Sequence, residues 1–310
     1  MDKKKLYLWF LATRPKTLLA SQAPILLSFS LSFQYQNLIV SDLSNHISFI
    51  YIICSLFSFC IQICTNFANE YFDFKRGADT KKRLGPQRSV SLGLINDQQM
   101  LYASVLFGFF AFSIGCTLLQ FGGVEILIIG VLSVLLAFVY TGGPYPLAYN
   151  GLGDLFVIFF FGIIAVCIPF YILYKSIPWD VFILSVGMGM IINNLLVINN
   201  YRDFEEDKQS NKRTTTVMFG RKFSYFQYVF SYLFGVVMVP IFLFAVGNKI
   251  LFLSLFILLI PAYKNSKSLL KSKSSGDYNI ALKKTAIFMM GYSIMISLIL
   301  LFYTKTIPFI

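Results

Sequence analysis

The chain has 310 residues, of which 57% are apolar and only 13% are charged, and its mean hydropathy is +0.70. A soluble domain carries about 25% charged residues, so this composition excludes an ordinary soluble protein. The formal net charge of +12 suits nucleic acid, an anionic membrane surface or an anionic substrate. Nucleic acid is excluded because the chain is too apolar to offer a contiguous basic face on a soluble body.

Nine stretches free of Asp, Glu, Lys and Arg follow one another along the chain. A membrane-spanning helix needs about 20 largely apolar residues, and eight of the nine stretches are long enough. The eighth stretch, 250–263, is short for a span. In chain order the nine predicted helices are 17–41, 43–69, 98–124, 126–153, 155–174, 181–201, 223–248, 250–263 and 285–304.

The distribution of basic residues decides whether the short stretch crosses the membrane. If all nine stretches cross, 23 of the 26 Lys and Arg residues lie on one side. Omitting the eighth would move the six lysines of 264–284 to the other side, against the positive-inside rule. The sequence therefore predicts an all-α protein with nine transmembrane helices, its N-terminus in the cytoplasm and its C-terminus outside.

The acidic residues concentrate in two segments that repeat each other without a gap. The segment from Asn69 to Arg83 and the segment from Asn199 to Arg213 share six identical positions, each pair offset by 130 residues. The copies follow predicted helices two and six, which have the same orientation. We therefore expect one domain over 1–310, built from parallel repeat halves at about 13–140 and 141–263 with a ninth helix at 285–304.

Each copy places an amide and a carboxylate four residues apart, on one helix face. Asn69 precedes Asp73 at this spacing, and Asn199 precedes Asp203, which is followed at the same spacing by Asp207. Carboxylates and amides without His or Cys are oxygen ligands that suit Mg²⁺, completed by water and a substrate phosphate. The alternative is a pair of solvated loops with mixed charge, but two matched copies favour a metal site.

A third segment, 140–154, joins predicted helices four and five on the same side. It contains four glycines, two prolines and the tyrosines Tyr140, Tyr145 and Tyr149. Glycine and proline predict a tight irregular turn, and tyrosine is common at membrane interfaces. The functional alternative is a wall of aromatic rings that holds an aromatic acceptor and shields a cation.

At these motifs the chain resembles the UbiA superfamily of intramembrane prenyltransferases, and most of all its 1,4-dihydroxy-2-naphthoate polyprenyltransferase branch (MenA type). Glu70 stands where the family pattern has an aspartate, and the last acid of the first motif is displaced to Asp79. The motifs that carry the resemblance are Asn69-Glu70-x-x-Asp73, Gly77-Ala-Asp79, Asp203-x-x-x-Asp207, Arg14-Pro-Lys-Thr-Leu18, Gly85-Pro86-x-Arg88 and Tyr140-x-Gly-Gly-Pro-x-Pro-Leu-x-Tyr149-x-Gly-Leu-Gly153.

The resemblance implies a helical bundle around a cavity that opens to the cytoplasm and to lipid, in a bacterial inner membrane. It implies transfer of a polyprenyl group from its diphosphate to 1,4-dihydroxy-2-naphthoate, with loss of CO₂. Tyr140, Tyr145 and Tyr149 would shield the allylic cation. Mg²⁺ would be held by Asn69, Asp73, Asp79, Asn199, Asp203 and Asp207, and the diphosphate by Lys82, Arg83, Lys212 and Arg213, with Arg14 and Lys16 nearby.

Two other functions compete with this one. Within the family, the acceptor could instead be 4-hydroxybenzoate, homogentisate or a porphyrin. From a different class, a secondary transporter would bind cations through carboxylates near the bilayer midplane. The acidic residues lie at predicted helix ends instead, and the mid-helix residues Asn193 and Asn194 are the one hint of a transporter.

Overall fold

The computed structural model describes residues 3–39, 41–79, 85–247 and 250–302. These residues form helices, and their single β-type pairing is a bridge between Asn150 and Arg213. In chain order the main helices are α1 (Lys3–Ala12), α2 (Pro15–Gln34), α3 (Ile47–Lys75), α4 (Asp97–Cys116), α5 (Val124–Val139), α6 (Gly153–Val157, Ile158–Ile164 and Ala165–Tyr174), α7 (Trp179–Arg202), α8 (Phe204–Gln209), α9 (Thr215–Leu233, Phe234–Met238 and Val239–Gly247), α10 (Ile250–Leu258 and Leu259–Lys271) and α11 (Ser275–Phe302). The middle segments of α6 and α9 are π-helical, and α10 begins as a 3₁₀ helix.

The chain is a multi-pass membrane protein. Within the described ranges, seven helical segments are long and apolar enough to cross a membrane: Leu43–Lys75, Asp97–Cys116, Gly153–Tyr174, Trp179–Arg202, Thr215–Ala245, Ile250–Lys271 and Ser275–Phe302. Each of the nine predicted stretches contains a helix, but the count of nine spans is not confirmed. Helix α2 carries four serines and two glutamines that lower its hydropathy, and α5 has only 16 residues.

Helix α5 is short because its C-terminal sequence cannot continue a helix. The predicted helix 126–153 ran through the loop 140–152, whereas the helix ends at Val139. Gly143 there adopts a φ of 76°, which L-residues with a side chain rarely adopt. Pro144 and Pro146 follow and lack the N–H that a helix needs, so the chain turns back into α6.

The centre of the bundle is made by α2, α6, α7 and α11, whose apolar faces form the larger buried cluster. Serine hydroxyls join α2 to its neighbours: Ser28 of α2 donates to the Val166 carbonyl of α6 at 2.7 Å, and Ser293 of α11 donates to the Ala23 carbonyl of α2 at 2.9 Å. Helices α6 and α7 touch through Gly162 and Gly189, where an added Cβ would come within 2.6 Å of a carbonyl oxygen of the facing helix. Such small residues let membrane helices approach closely.

Candidate active site

The first acidic cluster lies at the end of α3. Asn69 and Asp73 occupy successive turns of one helix face. The Asn69 side-chain oxygen accepts a hydrogen bond from the Thr141 hydroxyl at 2.8 Å. The Asp73 carboxylate is buried and accepts a hydrogen bond from the Tyr149 hydroxyl at 2.8 Å. The loop 140–152 therefore folds over this cluster.

Basic side chains from both repeat segments surround the Tyr149 ring. Lys212 Nζ lies 3.7 Å from the second oxygen of Asp73 and 5.2 Å from the ring centroid of Tyr149. The Arg76 guanidinium lies 5.3 Å from the same centroid. The Arg213 N–H donates to the Tyr149 carbonyl at 3.1 Å, which fastens the segment 212–214 to the loop. A lysine of the second repeat thus approaches the aspartate of the first.

The second cluster follows α7 and has a different partner. Asp203, directly after α7, receives two hydrogen bonds from the neighbouring Arg202, at 2.5 Å from Nε and 2.8 Å from Nη2. Both side chains are buried. Helix α8 starts at Phe204 and places the buried Asp207 one turn after Asp203. Asn199 lies one turn earlier and lines a cavity.

Acidic side chains of both clusters raise the pKa of Tyr140 and Tyr149. Burial and the adjacent Asp73 carboxylate raise the pKa of the Tyr149 hydroxyl above its ordinary value, and Asp207 adds to this effect. Burial also raises the pKa of Tyr140, with contributions from Asp154, Asp73 and Asp207. Because the pKa of each hydroxyl is raised, both hydroxyls stay protonated at neutral pH.

The loop after α3 brings a further acid to this region. The Asp79 N–H donates to the Asp73 carbonyl at 3.4 Å, and the buried Asp79 carboxylate lies 3.3 Å from Arg88 Nε. Glu70 instead accepts a hydrogen bond from the Val90 N–H at 3.0 Å. The glutamate that replaces the family's aspartate therefore holds the following loop in place.

A cavity of about 270 Å³ opens beside the clusters. We call the part lined by Arg14, Asn69, Tyr140 and Asn199 its polar end, and most of its remaining lining consists of aliphatic and aromatic side chains of α2 to α7. The Phe156 ring lies 5.7 Å from that of Tyr140. The cavity therefore places polar groups next to a mostly apolar lining.

The remaining predicted residues fall in different places. Arg14 precedes α2 with a φ of 53° and donates to the Asn66 carbonyl at 3.4 Å. Tyr145 is 59% exposed and does not line the cavity, and the Arg213 side chain is also exposed. Lys82 and Arg83 lie outside the described residues, as does the side chain of Lys16.

The sequence motifs did not reveal several residues of the site. Arg202 stands inside the second motif, and its position next to Asp203 was the available signal. Arg76 contacts Tyr149, and Thr141 contacts Asn69. The two residues of each pair lie far apart in the sequence, so no motif spacing predicts these contacts. The buried Asp154 accepts hydrogen bonds from Thr215, Gln227 and Asn193 at 2.6, 2.9 and 3.0 Å, so it ties the start of α6 to α7 and α9.

The donor chemistry of the clusters fits Mg²⁺. No three His, Cys, Asp or Glu side chains in the described part of the chain lie close enough together to enclose a metal ion. Mg²⁺ does not require such a cage, because it binds through one or two carboxylates and completes its shell with water and substrate phosphates. Asp73 and Asp203 each offer carboxylate oxygens of this kind, one turn after the cavity-lining residues Asn69 and Asn199.

Comparison with known proteins identifies the family of the chain. The profile of the UbiA prenyltransferase family matches residues 26–292. Two similar proteins are both named 1,4-dihydroxy-2-naphthoate octaprenyltransferase: one from Haemophilus influenzae, 32% identical over 71% of each chain, and one from Bacillus subtilis, 32% identical over 69% of this chain and 66% of its own. A UbiA homologue from Archaeoglobus fulgidus bound to GPP and Mg²⁺ shares the fold, with a TM-score of 0.61, 13% identity and coverage of 93% of this chain and 99% of its own. The chain belongs to the UbiA prenyltransferase family and is an aromatic prenyltransferase of that family.

Proposed function

We propose that the protein transfers a polyprenyl group from a polyprenyl diphosphate to 1,4-dihydroxy-2-naphthoate and so makes a precursor of menaquinone. The carbon–oxygen bond to the diphosphate breaks, and a bond forms between the prenyl carbon and the naphthalene ring. The carboxylate leaves the ring as CO₂, the electron pair of its bond returns to the ring, and the released diphosphate takes up a proton from water. The products are demethylmenaquinol, CO₂ and diphosphate.

One observation carries the proposal: Asn69 and Asn199, each one turn before a buried aspartate, line the polar end of a cavity whose remaining lining is mostly apolar. A diphosphate with a long hydrocarbon tail needs these two environments side by side. The names of the relatives from Haemophilus influenzae and Bacillus subtilis support the naphthoate as acceptor.

The acidic clusters and their basic neighbours would bind the leaving group. The residues that would hold Mg²⁺ are Asn69, Asp73, Asp79, Asn199, Asp203 and Asp207, and the ion would supply positive charge to the diphosphate leaving group. Lys212 lies beside Asp73, from where its ammonium can reach phosphate oxygens that approach the same carboxylate. Arg76 lies on Tyr149 and adds a second positive charge. Charge-assisted hydrogen bonds of this kind are about twice as strong as neutral ones.

The cavity walls would protect the reactive allylic group from water. Tyr140 and Phe156 form a pair of rings just inside the polar end, and Phe160 continues this wall at 4.3 Å from Phe156. Aromatic faces attract a positive charge, and exclusion of water prevents its hydrolysis. The Tyr140 hydroxyl stays protonated, so it can donate a hydrogen bond to the acceptor.

We infer that the polar end faces the cytoplasm of a bacterial cell whose inner membrane holds the protein. The 23 basic residues on the predicted cytoplasmic side support this orientation through the positive-inside rule. An alkaline phosphatase fused to the C-terminus is expected to be active, since that enzyme folds outside the cytoplasm. An inactive fusion, with full-length protein present, would contradict the orientation.

Product analysis tests the reaction. Purified protein in detergent receives an octaprenyl diphosphate, Mg²⁺ and either 1,4-dihydroxy-2-naphthoate, 4-hydroxybenzoate or homogentisate. We expect a prenylated and decarboxylated product from the naphthoate alone, detected by mass spectrometry, and no product after chelation of the metal. Prenylation of another acceptor would keep the enzyme class and reject the acceptor. Asp73→Asn and, separately, Asp203→Asn should abolish turnover.

A further inference from the structure

The hairpin of α10 and α11 carries an excess of positive charge. Residues 264–284 contain six lysines and a single acid, Asp277, and all six lysine side chains are exposed. The Asp277 carboxylate accepts hydrogen bonds from the backbone N–H groups of Lys273 and Ser274 at 3.1 and 2.9 Å. Within the described ranges, none of the six lysines forms an ion pair with a carboxylate. These lysines are therefore accessible to an anion from outside the protein.

Three of the lysines lie around one hydroxyl group. The Lys284 ammonium of α11 donates to the Ser268 hydroxyl of α10 at 3.3 Å. Lys264 lies four residues before Ser268 and Lys271 lies three residues after it, both in α10. Residues at these spacings share one helix face. We call Lys264, Lys271 and Lys284 the lysine patch.

The backbone beneath the lysine patch is held by buried hydrogen bonds. The Asn265 side-chain amide donates to the Lys284 carbonyl at 3.4 Å and to the Tyr232 hydroxyl of α9 at 3.2 Å. The Thr285 hydroxyl is hydrogen-bonded to that of Tyr228 at 2.5 Å. These bonds join α9, α10 and α11 next to the patch. A ligand would therefore need to order the lysine side chains but not their backbone, which lowers the entropic cost of binding.

The patch begins where the exposed apolar side chains of both helices end. Ile260 and Tyr263 of α10 are 60% and 67% exposed and come directly before Lys264, and Ile287 of α11 is 62% exposed and comes one turn after Lys284. Both helices belong to segments long and apolar enough to cross a membrane. Because lipid surrounds exposed apolar side chains and water surrounds charged ones, this change marks the membrane surface. The lysine patch therefore lies at the level of the lipid headgroups.

The patch lies on the same side of the membrane as the acidic clusters. The Tyr278 ring, in the first turn of α11, has its centroid 6.2 Å from that of Tyr201 in α7. Tyr201 precedes Asp203 by two residues. The headgroups within reach of the patch are therefore those of the leaflet next to the candidate active site.

We propose that the lysine patch is a binding site for an anionic phospholipid. The three ammonium groups would bind the phosphate through charge-assisted hydrogen bonds, and the acyl chains would lie along Ile260 and Ile287. A soluble anion would use only the first of these contacts, so the neighbouring isoleucines favour a lipid. Each lysine near anionic lipid strengthens binding roughly fivefold. This site is separate from the prenyl-transfer site and does not depend on the proposed reaction.

The test measures binding of phosphatidylglycerol to purified protein in a non-ionic detergent, by native mass spectrometry. We expect wild-type protein to bind phosphatidylglycerol roughly tenfold or more tightly than phosphatidylcholine. The combined variant Lys264→Gln, Lys271→Gln and Lys284→Gln should lose this preference. The corresponding variant with three arginines keeps the charges and should retain it. Because the three side chains are exposed, the glutamine variant should unfold at the wild-type temperature in detergent alone.

The matched control removes three exposed lysines from other segments, through Lys5→Gln, Lys208→Gln and Lys222→Gln made together. It removes the same total charge and should change the affinity for phosphatidylglycerol by less than about twofold. Equal losses in the two glutamine variants would show a diffuse effect of charge and overturn the site. Equal binding of the two lipids by wild-type protein, or displacement of phosphatidylglycerol by an equal concentration of glycerol 3-phosphate, would also overturn it. Failure of the proposed function would appear separately, as absence of turnover in a protein that still binds lipid.

Discussion

Tyr149 donates its phenolic hydrogen to Asp73 across 2.8 Å, from the loop between α5 and α6 to the last turn of α3. The same ring lies within 5.3 Å of Arg76 and of Lys212. One tyrosine therefore orients the first acidic cluster, the basic residue that follows it and a lysine of the second repeat. This arrangement leads to the first two predictions.

Replacement of Tyr149 by phenylalanine should lower kcat/KM for the prenyl diphosphate by roughly 10- to 100-fold, because a hydrogen bond to a charged group contributes about 1.5–3 kcal/mol. The ring remains, so its contacts with Arg76 and Lys212 persist. Tyr145→Phe is the control, since that side chain is exposed and its loss should leave kcat/KM unchanged. Equal effects of the two substitutions would refute a specific role for Tyr149.

The contribution of the Tyr149 hydroxyl should not depend on pH in the neutral range. Its pKa is raised above the ordinary value by burial and by Asp73. The protonated hydroxyl is therefore fully present below about pH 10, the ordinary tyrosine pKa, and is lost only as the pH rises through the higher folded-state value. The activity ratio of wild type to Tyr149→Phe should stay constant from about pH 6 to about pH 9. A ratio that falls within this window would show earlier ionisation.

Loss of Asp203 should destabilise the protein as well as inactivate it. Arg202 is 2% exposed and bonds to both oxygens of Asp203. Asp203→Ala leaves the guanidinium buried without its partner, which costs about 3–5 kcal/mol, so the thermal unfolding midpoint in detergent should fall. The double variant Arg202→Met with Asp203→Ala should recover much of this loss. Glu205→Ala removes a nearby exposed carboxylate and should not shift the midpoint.

Substitution of Lys212 should weaken donor binding. Lys212→Gln removes the ammonium that lies beside Asp73, and we expect the KM for the prenyl diphosphate to rise roughly tenfold or more. The KM for the naphthoate should stay unchanged. Lys208→Gln is the matched control, because Lys208 is exposed on α8 and the substitution removes the same charge from the same segment. A comparable rise in both variants would indicate a general effect of charge.

The repeated acidic motif and the apolar stretches identified the family and the helical class from the sequence. These patterns can be recognised without coordinates because each is local in the sequence. One is a carboxylate four residues after an amide, and the other is an uncharged stretch long enough to span a membrane. The helix ends were harder to predict. Absence of charge extended the fourth predicted helix to residue 153, whereas the glycines and prolines after Val139 end it.

Side-chain partners from distant segments could not be predicted. Asn193 and Asn194 were the one hint of a transporter, yet their amides donate to Asp154 and to the Tyr228 carbonyl and so hold helices together. Glu70 stands within the first motif but accepts from the Val90 N–H. In each case the direction in which the side chain points depends on the packing of the helices, which residue spacing does not encode.

The pairing of Arg202 with Asp203 means that the aspartates of the two clusters are held by different kinds of partner. The position equivalent to Arg202 in the first repeat, 130 residues earlier, is Phe72, so Asp73 has no basic neighbour of this kind before it. The partner of Asp203 is the residue next to it in the chain. Asp73 instead contacts Tyr149 and Lys212 from distant segments. These two segments are joined by the hydrogen bond from the Arg213 N–H to the Tyr149 carbonyl. A displacement of the loop 140–152 would therefore remove the Tyr149 hydrogen bond from Asp73 and leave the pair of Arg202 and Asp203 formed.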